Sequence, residues 1–311
     1  MNVREIATLA KVSTATVSRT INRVPTVDPV LARRVWKVIE EVGYYPNTHA
    51  RTLVRGRSRI FGLMVSEIIS RFFPEMVQSF AELAVEHNYD TLLRPIPNDS
   101  RHIDIAARQM IERRVDGVAV LTFWPQERVI NVFQRNHVPV FAIEGDSAGP
   151  YVRTLTIDYR HGIRQAVQHL AALGHSRIAF ISGPANFRSA AERKIAFQES
   201  MNEISLSPQR IVDGDHTMEA GVKAMLEVMS LPDRPSAVLC SNDTTAIGVL
   251  RAAFDQGLRV PGDLSVVGFD DIRLSRFMSP PLTTVEISQT QIAHAAFQEL
   301  LDSVEAPGEQ Y

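Results

Sequence analysis

One cysteine, Cys240, stands in 311 residues, so no disulfide can form within the chain. Cys/His spacings of the zinc-site kind are absent too. No apolar run approaches the roughly 18 residues of a membrane-crossing helix. The start, Met1-Asn2-Val3-Arg4-Glu5, lacks the apolar stretch of a secretory signal. Missing as well are a Gly-x-Gly-x-x-Gly turn behind a strand and a phosphate-binding P-loop, which removes the main nucleotide-dependent enzyme readings. Asp270-Asp271 is a conceivable acid/base pair, yet no nucleophile or cofactor signature accompanies it. His87, His137, His169 and His175 are scattered over helical and turn settings. The expectation is a non-enzymatic, cofactor-free cytoplasmic protein that does not enter the membrane.

What is present is ordinary globular composition, 45% hydrophobic and 22% charged, with charge unevenly spread. Of the 33 Lys and Arg and 35 Asp and Glu, 11 and 4 fall within residues 1–60, leaving 22 and 31 for the rest. A small basic head on an acidic body suggests that the head meets a polyanion. A merely solvated basic surface would look the same by charge alone.

The head carries three short helical patterns. Val3, Ile6, Ala7 and Ala10 repeat at i, i+3, i+4, i+7, one face of a first helix. Lys11-Val12-Ser13 forms a turn, with Ser13 as the N-cap of a second helix running to about Asn22. That helix turns Val17 and Ile21 inward and presents Ala15, Ser18, Arg19 and Asn22 outward, a small polar face with one long cation. Asp28-Pro29 opens a third helix with its apolar stripe on Leu31, Val35, Val38, Ile39 and Val42, and Gly43 suits its C′ position. Helix, tight turn, small-faced helix and support is a helix-turn-helix arrangement, whose second helix would enter the DNA major groove; an ordinary three-helix subdomain with a protein partner would show the same pattern. Residues 46–57 have no core of their own; Asn47 can cap a short helix through Leu53 that is too short to stand alone in water.

The body alternates strand-like runs (Ile60–Val65, Thr91–Leu93, Gly117–Thr122, Val138–Ile143, Ile178–Ser182, Ala237–Cys240, Ser265–Phe269) with helical periods. This predicts an α/β fold of parallel sheets covered by helices. Ligands bind beyond the carboxyl ends of such strands. Those ends carry Ser66-Glu67, Glu144, Ser182-Gly183-Pro184, Ser241-Asn242-Asp243 and Asp270-Asp271, polar groups suited to a hydroxyl-rich ligand. Asn242 or Asp243 could equally cap the following helix.

VREIATLAKVSTATVSRTIN and VIEEVGYYPNTHARTLVRG together resemble the headpiece and hinge of the lactose/galactose repressor family, without gaps. The resemblance continues through PVFAIEGD, AVQHLAALGHSRIAFISGP, PSAVLCSNDTTAIGVL, GDLSVVGFDD and SPPLTTVEIS. It implies an all-α headpiece (1–45), a hinge helix (46–57) and a periplasmic-binding-protein-like core (58–311). The core would hold two Rossmann-like subdomains, about 58–155 with 287–311 and about 156–286. It places Thr14, Ala15 and Arg19 at base-reading positions, with Thr16, Ser18, Asn22 and Asn47 as phosphate or positioning contacts. Ala50 lies on the hinge, and Leu53 matches the leucine that wedges a base step in the minor groove. Val54 departs from members with a basic residue there. Matching effector contacts are Phe72, Phe73, Glu144, Arg193, Asn242 and Asp270. Arg71 adds a cation beside the phenylalanines, which either favours an anionic effector such as a sugar phosphate or faces solvent.

The resemblance thus implies a bacterial, nucleoid-associated repressor. Its partners would be a pseudo-palindromic double-stranded operator, a carbohydrate-like effector and a second copy of itself. The family's usual final crossing strand is not reached by Tyr311, and there is no room for a heptad-repeat tetramerisation helix, so a dimer is expected.

Overall fold

The computed structural model describes residues 2–22, 24–44, 57–66, 71–97, 100–124, 127–145, 149–208 and 210–305. The chain divides into two compact units, Met1–Ser58 and Arg59–Tyr311.

The first unit contains α1 (Val3–Ala10), α2 (Thr14–Ile21) and α3 (Pro29–Glu41). Each helix start is satisfied by a side chain. Asn2 and Glu5 form a reciprocal capping box on α1: the Asn2 Oδ1 accepts from Arg4 and Glu5 N–H, and Glu5 Oε2 accepts from Asn2 N–H at 3.0 Å. Ser13 Oγ accepts from Thr16 N–H at 3.0 Å. Asp28 Oδ1 accepts from Val30 and Leu31 N–H, with Pro29 at the first helical position. Lys11, at φ 54°, turns the chain between α1 and α2, and its carbonyl accepts from Arg34. Gly43, at φ 59°, follows α3 in the left-handed conformation that costs glycine least. The core is Ile6, Ala7, Ala10, Val17, Val35 and Ile39. On α2 the structure amends the sequence reading: Val17 and Thr20 are buried, and Ile21 only partly. With eight residues and two turns, α2 brings position 20 beneath α1 and α3 as well as position 17.

The second unit holds two five-stranded, wholly parallel sheets. The first runs β2 (Asp90–Pro95), β1 (Ile60–Val65), β3 (Gly117–Leu121), β4 (Val140–Ile143), β5 (Val152–Leu155). The second runs β10 (Thr283–Glu286), β9 (Ser265–Asp270), β8 (Ala237–Cys240), β6 (Ile178–Ile181), β7 (Arg210–Val212). Central strands such as GVAVL and AVLC are apolar at every position because helices cover both faces. The edge strands β2, β5, β7 and β10 are partly exposed and mix polar residues in.

Helices α4 (Phe73–Glu86), α5 (Ser100–Glu112) and α6 (Glu127–Arg135) belong to the first sheet. Helices α7 (Tyr159–Ala172), α8 (Arg188–Glu203), α9 (Met218–Met229) and α10 (Asp243–Asp255) belong to the second. The chain crosses between sheets after β5 and returns after β10, where α11 (Gln289–Glu305) packs on α4, β3 and β4. Phe297 of α11 meets Phe61 and Phe80 edge-on, each at 5.6 Å between ring centres. Helices α9 and α10 touch through glycines. A Cβ on Gly221 would lie 2.2 Å from the Thr245 carbonyl oxygen, and one on Gly248 2.0 Å from that of Met218.

Candidate functional site

Two places gather the residues singled out above. On α2, Thr14, Ala15, Ser18 and Arg19 are exposed, while Thr16 and Asn22 are half-buried. The Thr16 hydroxyl is engaged with Ser13 Oγ at 2.9 Å, so it serves the cap. Asn22 ends the helix, its N–H donating to the Ser18 carbonyl at 3.0 Å. The outward face is therefore short side chains plus the Arg19 fork, a shape that lets helix backbone approach a groove closely. Asn47, Ala50 and Leu53 lie outside the described residues.

The second place is a cleft of about 570 Å³ between the carboxyl ends of the two sheets. From the first sheet come Ser66, Phe72, Phe73, Phe123 and Trp124; from the second come Phe187, Arg193, His216, Asn242 and Asp270. Phe72, Phe73 and Phe123 form one wall, each pair 5.3–5.5 Å apart between ring centres. Arg71 is exposed at the cleft, but Asp215, Glu219 and Asp270 also line it, so cations do not dominate.

Arg193 is the hub. It is 3% exposed. One terminal nitrogen donates to the Ser241 carbonyl, and the other lies 3.3 Å from Asp270 Oδ1. Its guanidinium carbon sits 4.6 Å from the Tyr159 ring centre and 4.3 Å from that of Phe269. Asp270 holds φ at 112°, a strained value for a residue with a side chain. Burial pushes its carboxyl up to about 6, with Arg193 opposing.

Asn242 caps α10, its Oδ1 accepting from Thr245 N–H at 2.9 Å, while its amide reaches the His216 carbonyl at 3.4 Å. It both caps and lines the cleft. Beneath it, Asp243 accepts from Thr284 Oγ1 at 2.5 Å and Ile272 N–H at 2.8 Å, tying α10 to β10 and to the turn after β9. Burial, then the neighbouring Asp270, pushes that carboxyl up to about 8.

One residue singled out from sequence stands apart from the others. Glu144 is not in the cleft lining; at φ 61° its carboxyl turns toward Tyr159 at the start of α7. Burial raises the Glu144 carboxyl above its ordinary range, and the Tyr159 hydroxyl opposes that rise. Conversely, Trp124, Phe123, Phe187 and His216 line the cleft without having been singled out from sequence. Phe123 and Trp124 follow the apolar run of β3, so the strand-end rule could have found them. Phe187 and His216 sit in connections before helices and carry no such signal. Burial, reinforced by Arg193, pulls the His216 imidazole down to about 3, so it is neutral at ordinary pH; its Nε2 is 3.0 Å from Ser241 Oγ.

Among the described residues, no group of three His, Cys, Asp or Glu could hold a metal, and no helix is long and apolar enough to cross a membrane.

Residues 2–47 match the family model described as bacterial regulatory proteins, lacI family, and residues 167–310 match the periplasmic binding protein-like domain. The chain is similar to the HTH-type transcriptional repressor CytR of Escherichia coli (strain K12), 34% identical over 306 residues, 97% of this chain and 89% of that protein. The HTH-type transcriptional repressor PurR of Klebsiella pneumoniae (strain 342) is 31% identical, covering 97% and 90%. Among solved structures, the Lac repressor dimer bound to operator and an anti-inducer superimposes with TM-score 0.89 at 25% identity, over 99% of this chain and 94% of that one. A complex of the regulator CelR with cellobiose gives 0.72 at 27%, over 99% and 94%.

Proposed function

The chain belongs to the lacI family of bacterial regulatory proteins, and on that premise we propose a sequence-specific repressor whose operator affinity is set by a small molecule bound in the cleft. The observation that carries the DNA half is the outward face of α2, where Thr14, Ala15, Ser18 and Arg19 stand exposed on a side-chain-capped helix. Thr14, Ala15 and Arg19 read base edges, and Thr16, Ser18, Asn22 and Asn47 position the backbone. Ala50 and Leu53 act at the operator centre, where a leucine wedge costs least at a pyrimidine–purine step.

In this reading the protein is a homodimer on a pseudo-palindrome, two heads serving two half-sites. It works in the bacterial cytoplasm, where the chromosome is. The effector is a sugar or sugar derivative held by Arg193, Asn242 and Asp270 against Phe72 and Phe73. Aromatic walls with a few convergent acid, amide and guanidinium groups suit a ring that is apolar on its faces and hydroxylated at its edge. The cellobiose complex of a structural neighbour supports that chemistry. The effector shifts operator affinity only by its differential affinity for two arrangements of the subdomains.

Selection of genomic fragments by the purified full-length protein, at two salt concentrations, tests the proposal. A recurring pseudo-palindrome retained at the higher salt is expected. Diffuse binding that disappears with salt would reduce the head to backbone contacts. Release from the selected fragment by members of a sugar panel then tests the cleft.

A further inference from the structure

Glu144 directly follows β4 of the first sheet, and Tyr159 begins α7 on the second; the chain crosses between sheets in the stretch that separates them. Three buried polar atoms at this crossing make no well-formed hydrogen bond among the described residues: Glu144 Oε2, Tyr159 Oη and Arg193 Nε. A buried polar group left unpaired pays its full desolvation without return. Tyr159 and Glu144 nevertheless face each other closely enough for the phenol to act on the carboxyl. Glu144 keeps φ at 61°, a conformation that a non-glycine residue holds only when its surroundings enforce it. An acceptor and a donor therefore lie opposed across the subdomain junction.

The same tyrosine reaches the cleft. Its ring lies under the Arg193 guanidinium at 4.6 Å, and Arg193 lines the cleft with Asp270. A molecule that draws Arg193 or Asp270 toward itself acts on the ring carrying the hydroxyl, while Glu144 stays with the other subdomain. We propose that Tyr159 and Glu144 form a latch that sets the angle between the two subdomains, with Arg193 linking the latch to the cleft. Both are positioning residues; neither needs to touch the ligand. The link to the cleft rests on the effector reading above, whereas the latch does not. A single bistable contact that two places can bias is the physical requirement for coupling them.

The test uses the full-length protein and no effector. Cys240 is the only cysteine and is buried, so spin labels on Gln109→Cys (α5) and Lys223→Cys (α9) report the subdomain separation. Dilution with unlabelled protein keeps each distance within one chain. Tyr159→Phe and Glu144→Ala should each shift the distance distribution, and the double variant should shift it no further. Glu144→Gln, which keeps an acceptor oxygen, should restore the parental distribution. Arg193→Lys, which loses the flat guanidinium, should move it in the direction of Tyr159→Phe. Unchanged distances, or shifts that add in the double variant, would overturn the latch. Failure of every sugar to release DNA would instead defeat the effector reading and leave these distances as they are.

Discussion

The outward face of the head comes from one eight-residue helix, whereas the cleft of the core draws on side chains from Ser66 to Asp270. The first is local: caps, a turn and six buried apolar side chains hold it. The second exists only when two sheets are both complete, and its central cation is buried among rings and an acid. A local site can be lost without harm to the rest of the chain. A distributed site shares its energetics with the fold.

That contrast can be broken or sharpened, because Trp36 and Trp124, the only two tryptophans, fall one in each unit and report each separately. The largest effect is expected from Arg193→Ala, which strands buried Asp270 without its cation. Breaking a buried pair from one side costs about 3–5 kcal/mol. The urea midpoint seen by Trp124 should fall and that seen by Trp36 should not. Ile6→Ala reverses the pattern. Removing a fully buried Ile side chain costs about 2–5 kcal/mol, enough to unfold a head with so small a core. DNA binding should disappear while the Trp124 transition stays in place; movement of both signals would end the idea of independent units. Arg19→Ala is exposed and should leave both midpoints alone, yet weaken binding to the selected operator by about 1–3 kcal/mol, measured by fluorescence anisotropy. Equal losses on unrelated DNA would make Arg19 a backbone contact.

The smallest effect is on pH dependence. His216 falls in the folded core from 6.5 to about 3, so its contribution is full above 6.5 and is lost as pH falls toward 3. Asp270 runs the other way: raised from 3.8 to about 6, its contribution is full below 3.8 and is lost as pH rises through about 6. His216→Gln removes the first component alone. The variant's midpoint relative to the parent should therefore rise steadily on acidification from pH 7 to 4. A constant difference would mean His216 carries no such linkage. His216 lies in the second unit, so Trp36 should not follow this trend.

The same contrast governs what could be read from the amino acids. The head was legible because caps, turn and apolar period lie within a few residues of one another. Thr20 was missed, a polar side chain that the three-helix packing encloses. The central strands were legible as unbroken apolar runs. The short edge strands β5, β7 and β10 were not, since three or four half-exposed residues carry no period. α5 buries Ile103, Ala106, Ala107 and Met110 at helical spacing and could have been found. In the cleft, Phe72, Phe73, Arg193, Asn242 and Asp270 fall where strand-end reasoning and resemblance put them. Glu144 obeys the same rule by position, and its carboxyl faces Tyr159 rather than the cleft lining.

The late return of the chain to its first sheet also has a consequence during synthesis. β5 closes that sheet at residue 155, yet α11, which covers Phe61 and Phe80 through Phe297, begins only at residue 289. At ribosomal speeds of about 5–20 residues per second, the interval is roughly 7–27 seconds. Throughout it, the part of the nascent sheet's apolar face over β3 and β4 lacks the helix that covers it in the finished fold, which is the kind of surface that chaperones hold and that stalled chains aggregate through.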